Sequence, residues 1–403
     1  ATCSTVVSGS VAGRCRMIAY IIYSFIITGF IYSVVTRWVW NSDGWLNRGD
    51  DYMFDGAMEK IGFYDFSGSG AVHLCGGTAA FVAAVILGPR IGRFDNGIEL
   101  PREFQGHSVA YAGYGALILL IGFMAFNGGS VMSVSRPGDG PQMSLSIVNT
   151  MISAGCAGYT SLFVRKAFFP HHKWSVFNTV NGAVCGMVAI CASCNIIRPW
   201  AALIVGVVSG IVYNVAAWLV TKARIDDPAD SIAIHFAGGM WGLLSVAIFK
   251  YQTGILMAWD NRAGIILAWQ VAGICAIILW TGGLCIILFG AMKYAGIFRV
   301  SVEVERMGSD IPEHDEAAYQ YDMGSLTPDL VAKLNYIMEN VHIPSKTVAA
   351  YTTDGKEKGT YEISEVKVMN NLQPTFVSTI SNGNSNQGQV NGGFVDGVER
   401  TPL

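Results

Sequence analysis

Eight stretches of the chain carry no Asp, Glu, Lys or Arg: 17–36, 66–89, 104–135, 140–164, 174–197, 199–221, 231–249 and 263–292. Each supplies about the 20 residues that a helix needs to cross a bilayer core. Runs this long, apolar on every side, predict membrane-embedded helices rather than amphipathic ones on a globular surface. Residues 1–13 read as the apolar second half of a ninth segment, and because the chain opens on Ala1 rather than Met, the helical bundle is expected to be N-terminally incomplete. The pattern stops at Tyr294. Beyond it lie an acidic stretch from Glu303 to Asp322, a short helix expected at Thr327–Glu339, and the run SNGNSNQGQVNGG at 381–393, whose composition cannot bury a core. The expected organisation is a transmembrane domain of about nine helices at 1–293 and an acidic tail at 294–403, disordered beyond about 370.

Composition supports an all-α polytopic membrane protein. Only 14% of residues are charged and 52% are hydrophobic, with a mean hydropathy of +0.40, whereas soluble domains carry about 25% charged residues. Residues 1–293 hold 18 Lys and Arg against 14 Asp and Glu, and residues 294–403 hold 8 against 15. The basic residues gather in alternate loops: Arg14 and Arg16; Arg90, Arg93 and Arg102; Arg165, Lys166 and Lys173; Lys222 and Arg224. The positive-inside rule makes these loops cytoplasmic, which puts Ala1 outside and the tail inside. The loop at 41–64, with Asp43, Asp50, Asp51, Asp55 and Glu59, then lies outside, where it either favours cations near the surface or is simply a solvated face. All nine cysteines sit in or beside apolar segments, so no disulfide framework is expected; Cys191 and Cys194 have metal-like spacing but, without a second pair, read as packing.

Two segments share one pattern. Asp65 to Gly77 and Asp227 to Gly239 both read aspartate, seven residues, histidine, two residues, then a glycine pair. Four helices separate them, so the copies cross the membrane in opposite directions, the mark of an inverted repeat with a functional site near the midplane. Asp227 before Pro228 has the form of an N-cap with proline at the first helical position, and Asp65 is placed equivalently. A histidine eight residues further on lies about 12 Å along the axis. Entering from opposite faces of a core about 30 Å thick, His73 and His235 would end within about 6 Å of each other in depth.

One such histidine could merely bond a neighbouring helix, but two at symmetric places in charge-free runs mark an ion or proton pathway. A metal site would need further ligands that the helix cores lack. A pair of neutral imidazoles in an apolar passage suits a small polar molecule. At Phe126 to Ser130 (FNGGS) the plain account is a helix C-terminus with Asn127 or Gly128 in the left-handed position. Trp40 falls at the outer end of its helix, where tryptophans form interfacial belts. If Trp40 and Ser130 face one vestibule, an indole face and a hydroxyl acceptor make a site for a small cation.

These residues resemble the ammonium transporter family (Amt/Mep/Rh). The resemblance runs from Ala1 to about Asp322 and is carried by VSGSVAGR (7–14), DFSGSGAVH (65–73), AFNGGS (125–130), NGAVCGMVAI (181–190), RPWAALIVG (198–206) and DDPADSIAIHFAGGMWG (226–242). It implies a homotrimer of eleven-helix protomers in the plasma membrane, each with its own pore, this chain entering at the third helix. It also implies that His73 and His235 are the paired pore histidines, and that Trp40 and Ser130 form the outer recruitment site. Phe126 would be one of two phenylalanines closing the outer mouth, its partner lying upstream of Ala1. Asp65 would support the outer vestibule, and Asp227 and Asp230 the cytoplasmic start of the second histidine helix. Departures are Gly13 in place of the usual glutamate, Phe123 where tryptophan is frequent, and Glu313-His-Asp-Glu in a tail segment, Arg299 to Tyr319, that otherwise resembles a regulatory element.

The implied function is ammonium transport: ammonium is recruited outside, deprotonated, and conducted as ammonia past the histidines. Alternatives are a neutral ammonia or carbon dioxide channel of the Rhesus kind and an ammonium sensor. No constellation of nucleophile, base and orienting group points to an enzyme. Ammonium or ammonia, membrane lipid and a cytoplasmic regulator of the tail are the partners considered, with no cofactor, metal or nucleic acid. The acidic tail is expected to dock on loops containing Arg90, Arg93, Lys222 and Arg224.

Overall fold

Where the sequence runs apolar, the chain is helical. The computed structural model describes residues 1–94, 104, 106, 108–168, 174–314, 348–351 and 357–361. His107, the expected helix at Thr327–Glu339 and the expected loss of order beyond about 370 lie outside them. Two units are distinguished, Ala1–Glu316 and Ala317–Leu403.

The first unit contains, among the described residues, nine apolar helical segments. They are α1 (Thr2–Val11), α2 (17–40), α3 (Ser69–Leu87), α4 (Val109–Gly129), α5 (Asp139–Phe168), α6 (Val176–Ile190), α7 (Pro199–Lys222), α8 (Ile232–Phe249) and α9 (Asn261–Tyr294). Seven are long and apolar enough to cross a bilayer; α1 and α6 are shorter. Starts are set by local chemistry: the Ser108, Ser175 and Asp260 side chains accept the N–H groups of Tyr111, Asn178 and Ala263, and Pro199 opens α7. Short helices α10 (Val302–Met307) and α11 (Asp310–His314) follow.

Inside a membrane, small residues let helix backbones approach and polar side chains join them. The α5–α6–α7 group is built this way. A side chain at Gly186 would lie 2.6 Å from the Ser153 carbonyl, and Asn178 donates to Asn214 while Ser161 donates to Asn178. All nine cysteines are free thiols. Cys191 and Cys194 are buried, their thiols directed at the Met187 and Cys191 carbonyls.

Three features depart from the sequence expectation. The loop at 41–64 folds into an antiparallel hairpin, β1 (Asp50–Phe54) with β2 (Ala57–Ile61), held to the bundle by Arg262 on Glu59 at 2.7 Å. The helix of 174–197 ends at Ile190, because the carbonyls of Cys191 and Ala192 accept the N–H groups of Ser67 and Phe66 instead of continuing the turn. At 126–130, α4 persists through Gly129 with Ser130 still right-handed, and the first left-handed residue is Met132, so neither Asn127 nor Gly128 is the cap. The helix holds there because Asn127 donates to Thr150 at 2.8 Å and Gly128 packs on Ile147. The second unit contains an antiparallel hairpin, β3 (Val348–Tyr351) with β4 (Glu357–Tyr361), which the tail composition does not announce.

Candidate functional site

Both repeats begin with an aspartate that caps an irregular turn. The buried Asp65 carboxylate accepts the N–H groups of Gly68, Gly70 and Ala71 at 2.8 to 2.9 Å, and Asp227 accepts those of Ile232 at 2.7 Å and the Ser10 hydroxyl at 2.8 Å. Each helix then opens as a π turn, Ser69–Leu74 in α3 and Ile232–Ala237 in α8, before becoming α-helical at the glycine-rich stretch. Both histidines sit in these turns. Wider turns of this kind recur where a helix must aim a side chain off the regular register.

The glycine pairs lock the two turns together. A side chain at Gly239 would fall 2.6 Å from the Ser69 carbonyl and 3.0 Å from the Leu74 nitrogen; one at Gly77 would strike the Phe236 nitrogen and lie 2.7 Å from the His235 carbonyl carbon. Each repeat's glycine therefore packs on the other's histidine segment, and each preceding glycine packs on an outer neighbour, Gly76 on Cys3 of α1 and Gly238 on Cys185 of α6. The contacts of α1 with α3 and of α6 with α8 are thus counterparts.

His73 and His235 meet with their Nδ1 atoms 3.1 Å apart and ring centroids at 5.1 Å, tilted by 16°. At that separation one Nδ1 carries the proton and the other accepts it. The tautomers are therefore complementary: one Nε2 is an acceptor and the other a donor. His73 Nε2 is buried and meets no protein hydrogen-bond partner. Phe123 stacks on His73 at 5.5 Å, and Phe126 meets it edge-on at 6.2 Å. Phe123 is a site residue that the pattern of polar positions could not single out.

Trp40 is 40% exposed, and its indole N–H donates to the Asp65 carbonyl at 2.7 Å. It also walls Gly68, the left-handed residue that opens the first turn. Ser130 is half-buried and donates to the Phe126 carbonyl at 2.8 Å, which leaves its oxygen as an acceptor. The contacts tie Trp40 to the first turn and Phe126 to His73.

A profile of the Ammonium Transporter Family matches residues 1–319. The chain belongs to that family. A Caenorhabditis elegans relative named putative ammonium transporter 1 is 41% identical over 332 residues, which cover 79% of this chain and 61% of that protein. The chain thus spans about three fifths of that relative. A solved structure titled Sensor Amt Protein superimposes with a TM-score of 0.66 at 29% identity, covering 78% of this chain and 74% of that one. Saccharomyces cerevisiae Mep2 superimposes with a TM-score of 0.62 at 28% identity, covering 74% and 66%. This member of the ammonium transporter family is a multi-pass membrane protein.

On the tail side of the bundle, Asp230 accepts from Tyr213 at 2.8 Å and Asn181 at 3.0 Å. Burial, reinforced by Asp230, pushes the neighbouring Asp227 up to about 7. The residue that sequence reasoning passed over is Asp226. Its carboxylate takes the fork of Arg90 at 2.7 and 2.9 Å and the backbone N–H of Arg90 at 3.0 Å, with Arg93 at 3.5 Å and Arg14 at 3.9 Å. Burial alone would raise Asp226, but the bonds and charge of Arg90, with Arg14, hold it below the ordinary carboxylate value. The only prior signal was three basic residues in two other loops, Arg14 in one and Arg90 with Arg93 in the second. Among the described residues no group of three His, Cys, Asp or Glu side chains could hold a metal.

Proposed function

We propose that the protein carries ammonium across a plasma membrane as a homotrimer, each protomer conducting on its own, with the tail on the cytoplasmic side. Ammonium collects at the exposed face of Trp40 and the Ser130 oxygen, gives its proton to water, and passes as ammonia by Phe126 to His73 and His235. A bare cation in so apolar a passage would lose its hydration without compensation, whereas neutral ammonia needs only a donor and an acceptor. The observation that carries this reading is the 3.1 Å contact between the two Nδ1 atoms, since complementary tautomers leave one acceptor and one donor for the substrate. Asp65 and Asp227 support the pathway by fixing the two turns, and Asp230 lies at its inner end.

The test is uptake of ammonium with current recorded, by the full-length protein in cells lacking their own transporters. Uptake should be lost or made unselective against potassium in His73→Ala with His235→Ala; unchanged rate and selectivity would remove the pore assignment. Current with uptake would show that the proton crosses as well, and uptake without current that ammonia crosses alone, as in a neutral gas channel of the Rhesus kind. The second reading is a sensor, supported by the likeness to the structure titled Sensor Amt Protein. Ammonium binding with no flux would favour it.

A further inference from the structure

We propose that Cys3 of α1 and Cys75 of α3 are a redox pair: hydrogen peroxide joins them as a disulfide, and the bond lowers flux by tying the first histidine helix to α1. The two sulfurs are 3.4 Å apart, with the Cys3 thiol donating to Cys75. The effect on flux rests on the reading of the protein as a transporter; the bond itself does not.

Other buried thiols of the bundle are used differently. Those of Cys191 and Cys194 are directed at the Met187 and Cys191 carbonyls, the ordinary way in which a buried thiol satisfies its weak donor. Cys3 and Cys75 are 2% and 0% exposed and face each other. Two cysteines can be bridged only where their backbones lie close and their side chains converge. Convergence is shown by the sulfur contact. Closeness is shown by Gly76, where a side chain would lie 2.8 Å from the Cys3 carbonyl oxygen and 3.3 Å from the Cys3 Cα. Thr281 of α9 adds a third group, its hydroxyl oxygen 3.3 Å from the Cys75 sulfur. A hydroxyl can turn its proton toward that sulfur. With the Cys3 S–H on another side, two donors then support Cys75 as the attacking thiolate.

Hydrogen peroxide is small and neutral, so it can enter a site from which a charged oxidant is excluded. The Cys75 sulfur attacks one peroxide oxygen: the S–O bond forms, the O–O bond breaks, and the departing hydroxide takes the proton that Cys75 gave up. A sulfenic acid and one water result. The Cys3 sulfur then attacks the Cys75 sulfur: the S–S bond forms, the S–O bond breaks, and the second hydroxide leaves with the Cys3 proton as water. Two thiols lose two electrons and two protons, and one peroxide becomes two waters. All the products are neutral. A soft metal ion bridging the same sulfurs would keep both ionised in an apolar site, and among the described residues no group of three His, Cys, Asp or Glu side chains could hold one.

A disulfide holds its sulfurs about 2 Å apart, so bonding draws this pair together by roughly 1.4 Å from the present 3.4 Å. The contact at Gly76 leaves the backbones little slack, and the adjustment falls on α3 at Cys75, where the π turn that carries His73 gives way to regular helix. His73 precedes Cys75 by two residues, so its 3.1 Å contact with His235 is disturbed.

The full-length protein, in cells lacking their own ammonium transporters, is exposed to a graded series of hydrogen peroxide. Ammonium uptake is measured, free thiols are blocked with N-ethylmaleimide, and the digested protein is searched by mass spectrometry for peptides joined through Cys3 and Cys75. The joined peptides should appear, and uptake should fall in proportion to their share, severalfold at completion. Cys3→Ala and Cys3→Ser should transport like the untreated wild type and keep that uptake under peroxide. Thr281→Val, which retains both thiols, should form the bond severalfold more slowly. Cys275→Ser, which removes an exposed thiol elsewhere on α9, should behave as the wild type. Oxidation of Cys275 without any joined Cys3 and Cys75 overturns the proposal. So does a joined pair with unchanged uptake, or a peroxide loss that persists in both Cys3 variants. Absence of ammonium uptake before treatment would instead count against the transport reading, and the joined peptides would still report the bond.

Discussion

An indole whose N–H is already bonded has only its face and edges to offer. Trp40 is in that state, tied to the Asp65 carbonyl at 2.7 Å while much of the ring remains exposed. A cation over such a face gains about 0.5 to 2 kcal/mol, depending on how far it is desolvated. Trp40→Leu and Ser130→Ala should therefore raise the half-saturation for ammonium by up to about tenfold and leave maximal flux nearly unchanged. Uptake across a concentration series measures this. Unchanged half-saturation in both variants would return Trp40 to an ordinary interfacial role.

At the scale of the element, the two histidine helices depend on their aspartates. Asp65, 4% exposed, satisfies three N–H groups of a buried turn. An orphaned buried donor costs about 1 to 3 kcal/mol, so Asp65→Ala should lower the melting temperature in detergent and abolish uptake together. Full stability with lost uptake would mean that Asp65 acts on the substrate rather than on the helix. Asp227 gives a pH dependence of its own. Its folded value of about 7 lies above the ordinary 3.8, so the folded state binds the proton more tightly. Protonation favours folding, and the stability associated with Asp227 is complete below about pH 4 and lost as pH rises through about 7. Melting curves over that interval should slope downward for the wild type, and the Asp227→Asn variant should lack that component. Identical slopes would rule out this contribution.

For the whole molecule, the start of the tail meets the bundle at a few specific contacts. The expected attraction between tail acids and the loop arginines holds only in part. Arg90 and Arg93 are engaged by Asp226, and the described part of the tail docks mainly through backbone. Arg299 donates to the Leu87 and Pro89 carbonyls, Val300 donates to the Arg14 carbonyl, and Phe298 stacks on Phe289 at 5.2 Å. The further span to Tyr319 lies outside the described residues. Deletion from Arg299 onward should lower flux at matched surface expression, and deletion after residue 370 should leave it nearly intact. Equal flux from the two truncations would separate the tail from the pore.

Much of this was already written along the chain. Charge-free runs near 20 residues determine membrane helices whatever they pack against, because an unpaired charge in hydrocarbon is too costly. The recurring aspartate, histidine and glycine pair determined which two helices correspond, since capping and spacing are local properties. What only the tertiary structure decided is contact across the repeats. Gly77 against Phe236, Gly239 against Ser69, and the meeting of His73 Nδ1 with His235 Nδ1 join residues some 160 positions apart. The same holds for Asp226, which reads in sequence as one more acid beside Asp227 and Asp230. Folding places it at 2% exposure among Arg14, Arg90 and Arg93 from two other loops. Charge in a loop says only that it is soluble there; which opposite charge it meets depends on how the helix ends converge.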